Sequence, residues 1–558
     1  MLLLTAALAL ATTTTAGCGS GTPADTSAPV ASPTLIAGRA DLNPVDVSEL
    51  KSGGELHWPY EGIPVTFNYH QLDGPSEDNA AVVNALMPRP FRKAADGGRQ
   101  PDPDYVVSAT LTAPSPQTVR YILNPNATWS DGTPITWRDF AAQWKALNGT
   151  DPAYQVAGSN GYDDIASVAR GGDDKQVIVT FRKPFAEWQG LFSPLYPASN
   201  YSTPIAFNTA WVRKIPVSAG PFVLQAIDQV AHTVTLARNE KWWGPKAKLD
   251  RIVFKPYALS QYFQGLTTPG DIDFAPIGYN TTLARQIRTL RGFVLRQSVN
   301  RHYQELLFNG GPGAPLADLA LRRAIARGLD RDSIAKRAIG EINEAIHATG
   351  NHIYPLGSVE YQDNSGELSF NTAVANQQLD ALGWRRVGNR RQLGGKPLQL
   401  RVVIEAADPV AEQVSLAMVE QLGAIGVTAI VQPLAPKLKE QALRAGNFDL
   451  ILNREETPSM PLSTEVRRYY DVIGTDIGSN YARINNGDVV DMFSQSAQNL
   501  NDEQRTADGN SLDKLIWEVV RSVPLFPSPG AYAVRSTLAN FGAPGLSDID
   551  YAQIGFTS

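Results

Sequence analysis

The sequence predicts an α/β protein built as at least two lobes. Three observations carry this. The chain beyond Ser52 runs for about 500 residues, more than one hydrophobic core usually organises. Leu398 to Ile404 and Val427 to Val431 alternate apolar and polar residues on either side of a helical pattern, the outline of a βαβ unit with parallel strands. The body also lacks a solenoid period or a low-complexity block, and 43% hydrophobic with 19% charged residues is the balance of an ordinary folded domain.

In chain order, Leu2 to Ala11 is a charge-free, largely apolar run ending in small residues before Cys18, as in a secretory signal segment. It has about half of the roughly 20 residues that a membrane-spanning helix needs. Cys18 is the single cysteine of the 558 residues, so an internal disulfide is excluded. Ala16-Gly17-Cys18 resembles the lipobox of bacterial lipoproteins, which makes Cys18 an expected lipid anchor, although Thr15 stands where leucine is usual. Met1 is followed by leucines with no basic residue, so translation is expected to start upstream. Gly19 to about Ser52 is rich in Ser, Thr, Pro, Ala and Gly, the composition of a flexible tether.

The body opens with a strand candidate at Gly53 to Trp58, followed by the irregular turn "PYEGIPVTFNYH". Thr118 to Leu123, Gln176 to Phe181 and His232 to Leu236 read as strands. Between the first two, Asp131-Gly132 gives a turn, and Thr136 with Asp139 resembles a capping box for a helix with Phe140, Trp144 and Leu147 on one face. Later, Leu306 to Phe308 looks like a strand end, residues 310–315 like a loop, and Asp318 like the N-cap of a helix burying Leu321, Ile325 and Leu329. Arg322, Arg323 and Arg327 are then expected on the solvated face, with Asp318 and Arg322 as an i, i+4 pair. In the βαβ unit, Val414, Met418, Leu422 and Ile425 share a helical face and Gly426 suits the position after the cap.

Composition and motif spacing exclude several classes of function. A net charge of −6 and a pI near 5.7 give no basic footprint for nucleic acid. The six histidines, at 57, 70, 232, 302, 347 and 352, form no zinc-binding spacing. No Walker A motif or well-placed GxGxxG occurs, and the GGPG at 310–313 lacks the spacing to cradle a phosphate. Ser333-Ile334-Ala335-Lys336 matches an SxxK, but no KTG accompanies it and Ser333 falls at a helix start. The pair Glu455-Glu456 follows the apolar run "FDLILN", where a strand delivers its loop. No catalytic residues, metal site or cofactor are expected.

The blocks "WSDGTPITWRDF" (129–140), "SAGPFVL" (218–224) with "ARNEKWWG" (237–244), "FNGGPGAPLADLALRRAIARGLDR" (308–331), "LDALGW" (379–384), "LGAIGVTAIVQPL" (422–434) and "GNFDLIL" (446–452) stand in one order. In that order the chain resembles the family 5 extracellular solute-binding proteins of ABC importers from about residue 50 to its end. Within the family it is most similar to the actinobacterial oligopeptide-binding lipoproteins, on "TPITWRD", "YQDNSG" (361–366) and the tail "VRSTLANFGAPGLSDIDYAQIGF" (534–556).

The resemblance implies a type II periplasmic-binding-protein-like fold, with a hinge and an interlobe ligand cleft. It divides the chain into a signal peptide (1–18), a tether (19–52), lobe one (53–305, with an inserted subdomain at about 76–205), lobe two (306–522) and a return to lobe one (523–558). The hinge is expected near 303–309 and 520–530, where "SVPLFPSP" turns back. It further implies an oligopeptide ligand held like an added strand, delivery to membrane permease subunits, and a monomer anchored on the extracytoplasmic face of the cell membrane. The ligand-contacting places carried onto this chain are Ile63, Pro64, Phe67 and Asn68; Phe308, Asn309 and Gly310; and Asn453, Arg454, Glu455 and Glu456. In the last loop Pro458 stands near the acid that receives a peptide's α-amino group in the family, so Glu455 or Glu456 is expected to supply that charge. Members of the family also carry metal complexes or glycans, and a non-transport binding lipoprotein remains a second alternative.

Overall fold

The computed structural model describes residues 39–474 and 476–557. The signal-like segment, Cys18 and the tether up to residue 38 lie outside the described residues. Residues 39–52, expected to be tether, are pinned to the body. Asp41 pairs with Arg296 at 2.6 Å and exchanges backbone hydrogen bonds with Ala543 at 2.8 and 2.9 Å. Backbone and carboxylate hydrogen bonds do there what apolar burial does elsewhere, which is why composition alone reads the segment as free chain.

Glu55–Tyr60 is the first strand of a four-stranded sheet, lying parallel to Arg251–Pro256, which is followed by Thr233–Arg238 and Phe222–Asp228. A second, antiparallel four-stranded sheet contains Gln117–Leu123 and Gln176–Phe181 at its centre. Both sheets share one apolar core with the helix Trp137–Leu147, whose Thr136 and Asp139 form the predicted capping box. Phe140 and Leu147 are buried there, and Trp144 packs at its edge.

A six-stranded sheet supports the second core. Its order runs Phe274–Pro276, Ser522–Arg535, Phe293–Phe308, Leu450–Glu456, Gln399–Glu405, Thr428–Leu434. The βαβ unit forms as expected: Gln399–Glu405 and Thr428–Leu434 are parallel, joined by the helix Pro409–Ala424, and Gly426 takes φ +84° after the cap. Asp318 caps the helix Leu319–Arg327 through the Ala320 N–H at 2.8 Å. Residues 262–290, expected with lobe one, contribute Tyr262, Leu266, Leu283 and Ile287 to this second core instead. Their apolar spacing is helical, and helix spacing does not tell which neighbour is covered.

Arg322 corrects the expected solvated face. It is 4% exposed and donates to the Val519 and Val520 carbonyls at 2.9 and 3.1 Å and to the Leu316 and Ala317 carbonyls at 2.9 and 3.0 Å. Arg323 adds the Glu518 carbonyl at 2.9 Å. The Glu518, Val519 and Val520 carbonyls end the helix Asp502–Val519, where unpaired C=O groups and the negative dipole end favour a cation. Arg322→Ala should therefore cost about 2–4 kcal/mol in urea unfolding. Arg337→Ala, which breaks only an exposed pair with Glu420, should stay within about 0.5 kcal/mol.

Candidate functional site

The strands Phe293–Phe308 and Ser522–Arg535 run antiparallel through both halves of the molecule. Their register shifts between Val299 and Tyr303 and again between Gln304 and Glu305. Pro524, Pro527 and Pro529 lie on the opposing strand at these shifts, and each removes a ladder N–H. The ladder is thus weakest where the chain passes between the lobes.

Beside this crossing lies a cavity of about 150 Å³. One wall is the hairpin Phe91–Lys93/Arg99–Pro101 with Glu187, on the side of the first core. The other is the loop from Tyr354 to Glu360, the segment Thr457 to Leu462, and Arg505. The walls meet directly. Glu187 accepts the Leu462 N–H at 3.0 Å, the Ser463 N–H at 2.9 Å and the Ser463 hydroxyl. Arg99 Nη2 donates to the Ser459 carbonyl at 2.7 Å, and Asn160 Nδ2 to Ser463 Oγ at 2.8 Å. The Val359 N–H reaches the Asp96 carbonyl at 3.0 Å. Burial pushes the Glu187 carboxyl up, and the donors from Ser463 and Leu462 oppose that shift.

The residues carried over from the family resemblance do not converge on this cavity. Phe67 and Asn68 are fully buried; the Phe67 carbonyl accepts the Tyr196 hydroxyl, and Asn68 Nδ2 donates to the Phe207 carbonyl at 2.8 Å. Pro64 is buried beside them, and Ile63 packs at the edge of the first core. Phe308 faces Leu450 across the ladder, six residues from the His302–Glu456 end. Asn309 Nδ2 is spent on the Gly446 and Phe448 carbonyls, both at 3.0 Å, and the Gly310 N–H on the Ala482 carbonyl at 2.9 Å. Asn453 is buried, and Arg454 lies over the Tyr279 ring at 4.6 Å.

Glu455 and Glu456 both hold internal cations. Glu455 pairs with Arg468 at 2.6 Å, and Arg468 pairs with Glu465 at 3.0 Å. Glu456 pairs with Arg301 at 2.8 Å and lies 3.6 Å from His302. Burial raises the Glu455 carboxyl to about 7, against the pull of Arg468 and with the neighbouring Glu305 and Glu465 adding to it. Neither carboxylate is an unpartnered acceptor for an amine.

The cavity wall built by residues 91–101 went unnoticed in the sequence. Its signal was "DGG" at 96–98, a turn with Gly97 at φ +79°, flanked by Lys93 and Arg99. Glu187 carried no local signal, because its acceptor role is fixed by residues some 275 positions away.

A family model for bacterial extracellular solute-binding proteins, family 5, middle part, matches residues 101–470. The Oligopeptide-binding protein OppA of Mycobacterium tuberculosis is 38% identical over 93% of this chain and 87% of its own. Among solved structures, the periplasmic EDTA-binding protein EppA aligns with a TM-score of 0.81 at 24% identity, over 94% of this chain and 99% of that one. The oligopeptide-binding protein AppA of Bacillus subtilis, solved with a nonapeptide, aligns at 0.68 and 17% identity, over 91% and 100%. At these identities the two structures establish the fold alone, and it is two-lobed.

Two outcomes follow from the geometry. Glu187→Ala removes the acceptor shared by both walls, so small-angle scattering should give a larger radius of gyration, and ligand affinity should fall about tenfold. For Glu455 the folded value stands above the ordinary carboxyl value near 4.5. Its protonated form therefore favours the folded state, a contribution present below about 4.5 and lost as pH rises through about 7. The melting temperature of Glu455→Gln should lose less between pH 5 and pH 8 than that of the unsubstituted protein.

Proposed function

The chain belongs to the bacterial extracellular solute-binding proteins of family 5, and from that premise we propose that it is the peptide receptor of an ABC importer. Members of this family bind solutes rather than turn them over, so the work to explain is capture and delivery. Between its two lobes the protein takes up oligopeptides and hands them to permease subunits in the membrane. Cys18 carries the lipid anchor, the following segment acts as tether, and the receptor is a monomer outside the transporter complex.

The observation that carries this reading is the cavity walled by both lobes, with Glu187, Arg99 and Asn160 bridging them. A ligand that contacts both walls at once can bind the closed arrangement better than an open one, and only such a difference in affinity drives closure. The name of the 38% identical relative supports peptides as the cargo. A second reading, a small non-peptide ligand, draws support from the cavity volume of about 150 Å³, below the roughly 300–1,000 Å³ typical of pockets that enclose a ligand of drug size.

Native mass spectrometry of protein purified without denaturation, followed by release and sequencing of bound material, separates the two. A ladder of mixed peptides of similar length is expected. A single non-peptide mass would replace the peptide reading by the second. Added peptide at a hundredfold its dissociation constant should raise stability by about 2.7 kcal/mol, and no thermal response to a peptide mixture would count against both peptide binding and transport of peptides.

A further inference from the structure

The cavity between the lobes is lined by four cationic side chains, Lys93, Arg99, Arg301 and Arg505, against two carboxylates, Glu187 and Glu360. Their commitments differ. Arg301 is paired with Glu456 at 2.8 Å and Arg505 with Asp502 at 2.7 Å. Glu187 is spent on the donors of Leu462 and Ser463. Asp548, beside Lys93, is held by Arg89 at 2.9 Å and takes the Lys93 backbone N–H at 2.8 Å.

Lys93 and Arg99 therefore stand apart. Among the described residues neither is in an ion pair within 4.0 Å, and Arg99 gives one nitrogen to a carbonyl. Both project from one hairpin, flanking its turn, so one rigid element presents an ammonium and a guanidinium to the same cavity. Burial, with Arg301 and Arg99 close by, pushes the Lys93 ammonium below the ordinary lysine value, and Asp548 only partly opposes it. Burial likewise lowers Arg99. Two half-buried cations with no carboxylate within ion-pair distance, and only the more distant Asp548 and Glu187 to offset them, are a cost that an anionic ligand relieves. Glu455 and Glu456, expected to receive a peptide's amine, are meanwhile paired with Arg468 and Arg301, and Glu360 is the carboxylate of the lining that is in no ion pair among the described residues.

We infer that this cavity is a carboxylate site, in which Lys93 and Arg99 hold an acidic group of the ligand, while Glu455 and Glu456 do not receive its amino terminus. The inference rests on the reading that the interlobe cleft is where cargo binds, and it names the chemistry of that cargo. An ammonium beside a guanidinium fork suits a planar carboxylate. About 150 Å³ suits one charged end group rather than a whole extended peptide. The carboxylate can come from a peptide's C-terminus or acidic side chain, or from a small polycarboxylate.

The test uses three matched pools of random pentapeptides, as free acids, as C-terminal amides and as N-acetylated acids, with citrate as a peptide-free carboxylate. Apparent affinities are read by thermal shift and by mass-spectrometric retention on the unsubstituted protein. Losing one charged hydrogen-bond partner should weaken the amide pool by about tenfold or more, and N-acetylation should change binding less than about threefold. Lys93→Gln and Arg99→Gln should each bring the ratio of acid-pool to amide-pool affinity to about one; Arg99 also bridges the walls, so the ratio within each variant is the quantity read. Citrate binding lost in the same two variants would assign the site to carboxylates of either source, and its failure alongside acid-selective peptide binding would assign it to peptides.

Acid and amide pools binding equally, or N-acetylation abolishing binding, would overturn the carboxylate site while leaving a peptide receptor. If no pool binds but citrate does, through Lys93 and Arg99, the peptide reading falls and the carboxylate site stands. If neither binds, both fall. The comparison of pools on the unsubstituted protein decides the matter even if a variant fails to fold.

Discussion

The structure depends on one constraint: two strands, Phe293–Phe308 and Ser522–Arg535, must belong to both lobes while remaining hydrogen-bonded to each other. A continuous ladder would lock the lobes together as one sheet. Here the ladder is kept at both ends, from Phe293 opposite Arg535 to Leu307 opposite Ser522, and is broken in the middle by two register shifts. Three prolines in the second strand lack the N–H that an unbroken ladder requires. Among the described residues the backbone pairing on the outer side of that strand runs from Ala531 to Arg535, against Asp273 to Ile277, so the proline segment is not enclosed between two strands. The same irregularity brings Arg301 to the cavity and turns Tyr303 and Glu305 inward.

That inward turn has an electrostatic consequence. Glu305 is 1% exposed and its Oε1 has no hydrogen-bond partner; Glu455 and Glu465 lie in the same buried cluster with Arg468 and Arg521. Arg521 stacks on Tyr469 at 5.1 Å, and its Nε is also unpartnered. Three carboxylates face two guanidinium groups. Removing such groups from water is offset only when every lone pair and proton finds a partner. Burial is the main reason that Glu455 sits above an ordinary carboxyl, and the neighbouring Glu305 and Glu465 add to it against the pull of Arg468 and Arg521. An apolar filling would satisfy one arrangement of the crossing strands best, whereas a partly satisfied polar cluster leaves that arrangement less favoured than the packed cores on either side.

What the sequence made legible was whatever is fixed locally. Thr136 and Asp139 are three residues apart, and the capping box they predict forms. Val414, Met418 and Leu422 repeat at helical spacing and are buried, and the strands flanking their helix pair in parallel. "SVPLFPSP", expected only as a hinge segment where the chain turns back, lies in the strand Ser522–Arg535, and its prolines lack the ladder donors. What failed was whatever depends on a distant partner. Arg322 belongs by spacing to a charged face, yet it caps a helix end nearly 200 residues away. Asp41 looks like tether until Arg296 is beside it. Glu455 and Glu456 stand at the mouth of a strand, where a loop can meet ligand, but cross-strand and helical neighbours supply their cations first. The cavity wall at residues 91–101 was written only as a turn signal with basic flanks, and a turn does not say what it faces.

These long-range pairings decide how the closed arrangement is balanced. A few hydrogen bonds hold the walls together across the cavity, centred on Glu187, and each contributes on the order of a few kcal/mol at most. Against them stand Lys93 and Arg99, neither of them in an ion pair among the described residues, and the under-satisfied cluster at the crossing. Coulomb repulsion between like charges at such sites is weakly screened, since salt and water reach a closed cleft poorly. An anion placed between the walls changes the sign of that term from repulsive to attractive without altering any other contact. The ligand's charge, more than its bulk, is then what separates the two arrangements in free energy. A neutral group filling the same space would displace water but leave the repulsion in place.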